Sequence, residues 1–235
     1  MTLWLPLARS SMPAELALVA APTPLWRVER ISPALRFSRI NAVDARNERA
    51  GNRFDVPGAG VLYGATAAVG GYAETLAGFR PRASMVDALN RVTPEPGRVL
   101  PGEVPAGWFT TRRLRTFDVI GSLPFVDLES PATHTHLTEK AATVLLHQGL
   151  ENLDIPAVRG PSRLLTRAVA SWIYSQTDEH GRALYAGIRY VSRLGNFECW
   201  AIFDGTPVEL RSSIEVDPSD PALTDVLELF GMTVR

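Results

Sequence analysis

The stretch Gly51–Arg80, GNRFDVPGAGVLYGATAAVGGYAETLAGFR, decides the prediction of the fold. A short apolar run that ends in Tyr63 follows a glycine-flanked turn, and this pattern predicts a buried strand. Thr66 offers a hydroxyl suited to an N-cap, and the small residues after it predict a helix over 67–79. The rest of the chain is interpreted around this strand and helix.

The predicted helix has one apolar face and one face with a single glutamate. At about 100° per residue, the apolar face holds Ala68, Tyr72, Thr75, Leu76 and Phe79, which we expect to pack on the core. Glu74 lies on the other face, where its neighbours are all small: Ala67, Gly70, Gly71, Ala77 and Gly78. This arrangement predicts a carboxylate that a ligand can approach closely. The alternative is a solvated glutamate on a surface helix loosened by glycines.

The composition of the 235 residues fits one globular domain with a single core, since 46% are hydrophobic and 21% charged. The net charge of −1 argues against nucleic acid or an anionic membrane as a partner held by bulk electrostatics. No apolar run reaches the roughly 18 residues of a transmembrane helix, and the N-terminus lacks the basic start of a secretory signal. The expected location is the cytoplasm.

Metal and redox chemistry receive little support from the sequence. Cys199 is the only cysteine, so an internal disulfide and a thiolate cluster are excluded, and its apolar surroundings predict a buried, inert thiol. His134 and His136 are two positions apart and would lie on nearly opposite faces of a helix, so we expect no metal there. Neither a P-loop nor a dinucleotide-binding glycine fingerprint is present.

The chain divides into an N-terminal arm, residues 1–24, and a domain over 25–235. The arm contains four prolines around AELALVAA, which predicts one short helix docked on the domain, and the arginine-rich residues 31–52 predict an ordered loop. Residues 84–92 fit either a helix or a strand, and 94–97 predict a turn. An extended segment is predicted at 24–30, strands at 114–119, 186–191, 197–203 and 205–217, and helices at 131–148, 161–176 and 222–230. Asp220 is predicted to cap the last helix and Gly231 to end it. Short strands that alternate irregularly with helices indicate an α+β domain.

Several short motifs, in order along the chain, resemble those of the RES-domain family, which is named for an arginine, a glutamate and a serine. Trp26-Arg27-Val28 matches an upstream aromatic-Arg-Val motif, and G-N-R-F-D, V-L-Y-G-A and Y-A-E-T-L match the central ones. Tyr190-Val191-Ser192-Arg193, followed by Gly-Asn, matches the serine motif. The resemblance covers about residues 25–204. It departs at Phe54, where tryptophan is more common, and in the arginine-rich insertion before Gly51.

The resemblance implies a single ADP-ribosyltransferase-like α+β domain, with short strands in a split or curved sheet and flanking helices. It also implies that NAD is consumed as a substrate, without a metal, by the toxin of a toxin–antitoxin pair whose antitoxin is a separate helix-turn-helix protein. The sequence leaves open whether water, phosphate or a protein accepts the ADP-ribose. It also leaves open the oligomeric state, a homo-oligomer included.

The resemblance further implies roles for five residues. Glu74 would stabilise the cation that forms on the ribose, and Arg53 and Arg27 would bind the pyrophosphate through paired N–H groups. Tyr63 would stack on nicotinamide, and Ser192 would contact the ribose or orient Glu74. Glu74, Arg53 and Ser192 are thus the predicted catalytic residues, and Arg27, Arg53, Tyr63 and Ser192 the predicted NAD-binding residues.

Each role has an alternative that needs no ligand. Arg27 could be a salt-bridged strand residue, Tyr63 a half-buried core aromatic, and Ser192 a turn residue. Two other functions also fit the same motifs. One is transfer of ADP-ribose to a protein, and the other is a catalytically silent protein that binds NAD or a partner without turnover.

Overall fold

The computed structural model describes residues 15–89, 91 and 99–235. Its strands are β1 (Leu18–Val19), β2 (Leu25–Arg30), β3 (Ser38–Arg39), β4 (Gly60–Ala65), β5 (Glu103–Val104), β6 (Arg112–Val119), β7 (Phe125–Asp127), β8 (Gly187–Val191), β9 (Glu198–Phe203), β10 (Val208–Glu215) and β11 (Thr233–Val234). Its α-helices are α1 (Ala68–Leu76), α2 (Ala83–Leu89), α3 (Ala106–Thr110), α4 (Pro131–Lys140), α5 (Ala142–His147), α6 (Ile155–Arg159), α7 (Arg163–Tyr174) and α8 (Pro221–Phe230).

One curved, nine-stranded sheet forms the frame of the domain. Its order is β1-β7-β8-β9-β4-β2-β6-β10, with β3 also paired to β4, and every neighbouring pair is antiparallel except β7 and β8. β2 pairs with β6 over six residues but meets β4 only at Trp26 and Ala65. The sheet is therefore split between β2 and β4, and each half carries its own part of the core.

The helices cover one face of this sheet in two groups. Around β2 and β6, the cluster that includes Tyr72, Leu114 and Phe230 packs beneath α1, α3 and α8. Around β4, β8 and β9, a second cluster packs beneath α4 to α7. A third cluster, with Phe117 and Trp200, lies on the opposite face. The predicted α+β domain, with a split and curved sheet and flanking helices, is confirmed.

The central stretch contains the predicted strand and helix. β4 ends at Ala65, and α1 passes into a short 3₁₀ helix, Ala77–Phe79. Tyr72 and Leu76 are fully buried, which confirms the predicted core face. Thr66 is not the N-cap, because its hydroxyl donates to Glu198 Oε1 at 2.8 Å and accepts from Trp200 Nε1 at 3.0 Å.

The sequence predicts that the small residues beside Glu74 leave room for a ligand. This prediction is wrong for Gly70 and Gly71, the two glycines that lie within the helix. Gly70 and Gly71 are both buried against the sheet. A Cβ at Gly70 would lie 2.8 Å from the Cβ of Ala65, and one at Gly71 would lie 3.5 Å from the backbone nitrogen of Val28. Gly70 therefore allows α1 to approach β4 closely, whereas a Cβ at Gly71 would make only an ordinary contact.

The short helix predicted near the N-terminus is also wrong within the described residues. Leu18 and Val19 form strand β1 against β7, and the amide of Asp127 donates to the carbonyl of Ala17 at 2.9 Å. An isolated helix of eight residues is marginal in water, so pairing with a sheet edge outweighs local helix propensity. Residues 1–14 of the predicted arm, and the turn predicted at 94–97, lie outside the described residues.

The other predicted elements are found with changed boundaries. The helix predicted at 131–148 is divided into α4 and α5 at Ala141, and the segment that fitted either a helix or a strand forms α2. α7 begins after Ser162, whose hydroxyl accepts from the Leu165 amide at 3.3 Å, rather than at Pro161. The predicted loop 31–52 contains β3 and a 3₁₀ turn, Ala42–Asp44.

α8 has both of its predicted ends. Asp220 accepts a hydrogen bond from the Ala222 amide at 2.9 Å, and Gly231 ends the helix with a φ of 61°. Cys199 is buried, as predicted. None of the helices formed by residues 15–89, 91 and 99–235 has the length and apolarity needed to cross a bilayer.

Candidate functional site

The fold joins the glutamate of α1 to the serine that follows β8. Ser192 Oγ donates a hydrogen bond to Glu74 Oε1 at 2.6 Å, although the two residues are 118 positions apart in the chain. Phe197, whose carbonyl accepts from the Ser192 amide at 2.7 Å, packs against both helix-covered clusters. Glu74 and Ser192 therefore meet near the boundary between the two halves of the domain.

Ser192 is a turn residue and a partner of Glu74 at the same time. Its hydroxyl accepts from the Leu194 amide at 3.1 Å, and the same turn continues to Asn196, which has a φ of 58°. The residue is only 3% exposed. Because the Leu194 amide occupies an acceptor position of the hydroxyl, the proton of Ser192 is directed toward the carboxylate.

The environment of Glu74 raises the pKa of its carboxyl group above the ordinary value of 4.5. The residue as a whole is exposed, but its carboxylate is turned toward the buried Ser192 and loses hydration. This desolvation outweighs the hydrogen bond from Ser192 and the charges of Arg53 and Arg193, all of which lower the pKa. Glu74 Oε2 accepts no hydrogen bond from any residue that the structure describes, so the carboxylate keeps capacity for a further donor.

Arg53 approaches the same carboxylate from the segment that precedes β4. Its guanidinium donates to the carbonyl oxygens of Gly160 at 2.6 Å and Val158 at 2.5 Å, at the end of α6. Burial and the charge of Arg193 lower the pKa of Arg53, whereas Glu74 raises it. Within the residues that the structure describes, these bonds use two of the five guanidinium N–H groups, which leaves three for another acceptor.

Tyr63 is half-buried, and its hydroxyl is fully engaged within the protein. The hydroxyl donates to Asp55 Oδ1 at 2.8 Å and accepts from the Phe54 amide at 3.2 Å. Burial and the neighbouring Asp55 raise the pKa of Tyr63, and Glu74 contributes in the same direction. The structure thus gives Tyr63 a packing role and also brings it near Glu74.

Arg27 is not brought beside Glu74. Side chains alternate along β2, so Trp26 and Val28 pack on the face covered by α1, and Arg27 points to the opposite face. There its Nε donates to Glu29 at 2.8 Å, and its NH1 reaches the carbonyl of Tyr63 at 2.7 Å through the split between the strands. Arg27 is therefore the salt-bridged strand residue of the alternative interpretation. The sequence could not show which face of the sheet Arg27 occupies, because that depends on how β2 is paired in the sheet.

Two parts of the site were missed in the sequence. Asp55 is fully buried and holds Tyr63, and the carbonyls at the end of α6 hold Arg53. An acidic residue between Phe54 and Val56 could have indicated the first, because a carboxylate in an apolar run needs buried donors. No comparable signal exists for α6, since its five residues are too few to show helical periodicity.

Other candidate features lie away from this cluster. Among the described residues, no group of three or more His, Cys, Asp or Glu side chains is arranged to hold a metal ion. His134, in α4, places Nε2 2.7 Å from the carbonyl of Leu128. Two surface cavities, of about 410 Å³ beside Trp172 and about 350 Å³ beside Trp200, are not lined by Glu74, Arg53 or Ser192.

Comparisons with known proteins assign a family. The family model described as the RES domain matches residues 24–225. None of the curated proteins matches the sequence. Among solved structures, a chain of the crystal structure of the M. tuberculosis MbcT–MbcA toxin–antitoxin complex is similar, with 14% identity, a TM-score of 0.48 and 92% of each chain covered. Because the family model matches most of the chain and includes every residue of the Glu74 cluster, this protein belongs to the RES-domain family.

Proposed function

We propose that this protein cleaves the nicotinamide–ribose bond of NAD and is the toxin of a toxin–antitoxin pair. The observation that carries the proposal is the 2.6 Å hydrogen bond between Ser192 and Glu74, with Arg53 close enough to influence the carboxyl group. Arg53 and Ser192, from distant parts of the sequence, converge on the Glu74 carboxylate, whose second oxygen accepts no hydrogen bond from a described residue. Membership of the RES-domain family supports the same reading.

The chemistry requires stabilisation of a cation rather than protonation of a leaving group. When the bond between the ribose carbon and the pyridinium nitrogen breaks, its electron pair passes to the nitrogen and nicotinamide leaves as a neutral molecule. The ribose carbon then resembles an oxocarbenium ion, which a nearby carboxylate stabilises. Water would supply the oxygen of the new bond, and its proton would pass to solvent. We assign the carboxylate role to ionised Glu74 and the role of holding it to Ser192.

Arginines are suited to the pyrophosphate of the substrate. Arg53 retains three N–H donors after its bonds to α6, and guanidinium groups bind phosphate oxygens in pairs. Arg193 is exposed, and none of the described residues forms a hydrogen bond with its guanidinium. We therefore propose Arg53 and Arg193 as the pyrophosphate contacts, with Tyr63 near the nicotinamide. Arg27 would have to leave Glu29 to join them.

The proposed partner is an antitoxin encoded by a separate gene, and the proposed location is the cytoplasm, where NAD is available. The structural neighbour was solved as a toxin–antitoxin complex, which is consistent with such a partner. A helix-turn-helix protein in the adjacent reading frame would be the expected candidate. Purification of the chain together with that protein would test the pairing directly.

Release of free nicotinamide tests the proposed reaction. Purified protein, without an antitoxin, is incubated with NAD, and nicotinamide is measured by chromatography against a Glu74→Gln control. We expect release that depends on Glu74. Equal release from both proteins, or none above the buffer blank from the wild-type chain, would reject the proposal.

The fate of the ADP-ribose separates the alternatives. Free ADP-ribose indicates water as the acceptor, and ADP-ribose 1″-phosphate, formed only when phosphate is supplied, indicates phosphorolysis. Label from NAD that becomes attached to a polypeptide indicates an ADP-ribosyltransferase. A protein that binds NAD without releasing nicotinamide would be the catalytically silent binder.

A further inference from the structure

Residues 47–55, the segment that carries Arg53, are held mainly by side chains of α7. Residues 47–53 form turns without a regular helix or strand. Three side chains from the first turns of α7 donate hydrogen bonds to backbone carbonyls of this segment. Arg163 donates to Gly51 at 2.8 Å, and Thr166 donates to Arg53 at 2.5 Å. Arg167 donates to three carbonyls, those of Asn47 at 2.9 Å, Asn52 at 3.1 Å and Ala50.

Arg167 is an unusual residue to bury. It is only 2% exposed, and the hydrogen-bond acceptors that it has in the described part of the chain are all neutral backbone oxygens. Burying a charge without a directly bonded counter-ion is costly, and an apolar side chain of similar size would fill the same space at lower cost. Two opposite charges, the fully buried Asp55 across the segment and Glu48, act on Arg167 without a hydrogen bond among the described residues. The placement of Arg167 is therefore explained by what it holds.

Asp55 holds the other end of the same segment. Its carboxylate accepts from the Asn52 amide at 2.7 Å and from the Tyr63 hydroxyl at 2.8 Å. Between the contacts of Arg167 and those of Asp55 lies Arg53, whose carbonyl is bound by Thr166 and whose guanidinium is bound by the end of α6. The backbone of Arg53 is thus held by α7 and its guanidinium by the end of α6.

We propose that Arg167 is a positioning residue, which fixes segment 47–55 and through it sets the place of Arg53 beside Glu74. The step to catalysis rests on the proposed function. The step to the segment does not, because it concerns the free protein. A guanidinium suits this task because its planar fork donates in several fixed directions, whereas a lysine ammonium is a single compact point of charge.

Hydrogen exchange in the free protein tests the positioning of the segment. The amides of Ala50, Asn52 and Phe54 donate hydrogen bonds within the segment or to Tyr63, so their exchange rates report its opening. In Arg167→Lys we expect these amides to exchange at least about tenfold faster, with little change in the core strands. Unchanged rates at these amides would overturn the proposal, whatever the protein does to NAD.

Arg115→Lys is the matched control. Arg115 is similarly buried, at 4% exposure, but it bonds Glu29 on the opposite face of the sheet. We expect this variant to leave exchange in segment 47–55 unchanged relative to the core strands. If both variants loosened the segment to the same extent, Arg167 would be an ordinary structural residue and the proposal would be rejected.

A double-mutant cycle tests whether Arg167 acts through Arg53. In the wild-type background we expect Arg167→Lys to raise the KM for NAD about tenfold with a smaller change in kcat, and in the Arg53→Ala background we expect almost no further change. Equal effects in both backgrounds would overturn the link to Arg53. Absence of nicotinamide release from the wild-type protein would reject the proposed function instead, and the exchange result would still decide the positioning.

Discussion

Two glutamates near the split in the sheet lie among arginines, and their environments are opposite. Glu29, on the face away from α1, is 7% exposed and accepts from Arg27 at 2.8 Å, Arg115 at 2.5 Å and the Leu35 amide at 2.7 Å. Burial raises the pKa of Glu29, but these partners outweigh burial and lower it overall. On the helix-covered face, desolvation of the Glu74 carboxylate outweighs Ser192 and the two arginine charges, so the pKa of Glu74 is raised.

The difference separates a structural carboxylate from one available to a ligand. The carboxylate of Glu29 is already bound by Arg27 and Arg115 and by the Leu35 amide, so it serves to join β2, β6 and the loop after β2. Among the described residues Glu74 has one direct donor, Ser192, and the charges of Arg53 and Arg193 act on it without a hydrogen bond. A positive charge that forms on the substrate in the transition state would stabilise the ionised Glu74 carboxylate, which the folded protein alone stabilises only in part.

The largest effect that this comparison predicts is loss of stability in Glu29→Gln. Removing one member of a buried ion pair leaves Arg27 and Arg115 without their counter-charge, so we expect about 3–5 kcal/mol of destabilisation near neutral pH. Because the folded state lowers the pKa of Glu29, its contribution is present above the ordinary value of 4.5 and is lost as pH falls through the folded-state pKa. Urea unfolding at several pH values measures this. A constant difference at all pH values would contradict it.

Glu74→Gln is expected to lose activity without losing stability, in contrast to Glu29→Gln. Nicotinamide release should fall by about 10²- to 10³-fold, the usual cost of removing one electrostatic contact to a transition state. Stability near neutral pH should stay the same or rise, because a carboxyl group with a raised folded-state pKa destabilises the fold once it is ionised. Initial rates and thermal unfolding of the same preparation test both halves. A marked fall in the melting temperature would make Glu74 a structural residue like Glu29.

Gly70 of α1 sharpens the comparison, because the close packing of this residue on β4 sets how near the helix that carries Glu74 lies to the sheet. Gly70→Ala places a Cβ 2.8 Å from the Cβ of Ala65, and we expect overpacking to cost about 1–3 kcal/mol. Gly71→Ala is the matched control, because its nearest contact would be an ordinary 3.5 Å. It should be neutral or stabilising by up to about 1 kcal/mol through helix propensity. Equal destabilisation by both variants would show that the close contact at Gly70 does not limit the packing of α1.

Features decided by local sequence were the ones that could be predicted. The apolar run of β4, the Asp220 cap and the Gly231 terminus of α8 depend on neighbouring residues, and each is found. Register and long-range pairing depend on the whole sheet. The face of Arg27 is set by pairing with β6, and the burial of Gly70 by packing on β4 and the Phe197 side chain.

The candidate site shows the same division. The motifs identified Glu74, Arg53 and Ser192 individually, and only the fold brings the first and last into contact at 2.6 Å. Spacing could not reveal that α7 holds the segment that carries Arg53, because those hydrogen bonds join residues 112–120 positions apart. Side chains that hold a site in place leave little trace in local sequence, since they act from distant elements.

The smallest predicted effect concerns the link between the two site residues. Ser192→Ala removes the hydrogen bond that lowers the pKa of Glu74, so desolvation is opposed only by the arginine charges and the pKa rises further. If ionised Glu74 is the active form, the acid limb of kcat/KM against pH moves to higher pH. Activity then falls about tenfold near the limb and recovers at higher pH, whereas Glu74→Gln does not recover. Carboxyl ¹³C NMR of Glu74 in the free protein measures the same shift without NAD. An unmoved titration would mean that Ser192 holds the turn after β8 without tuning the carboxylate.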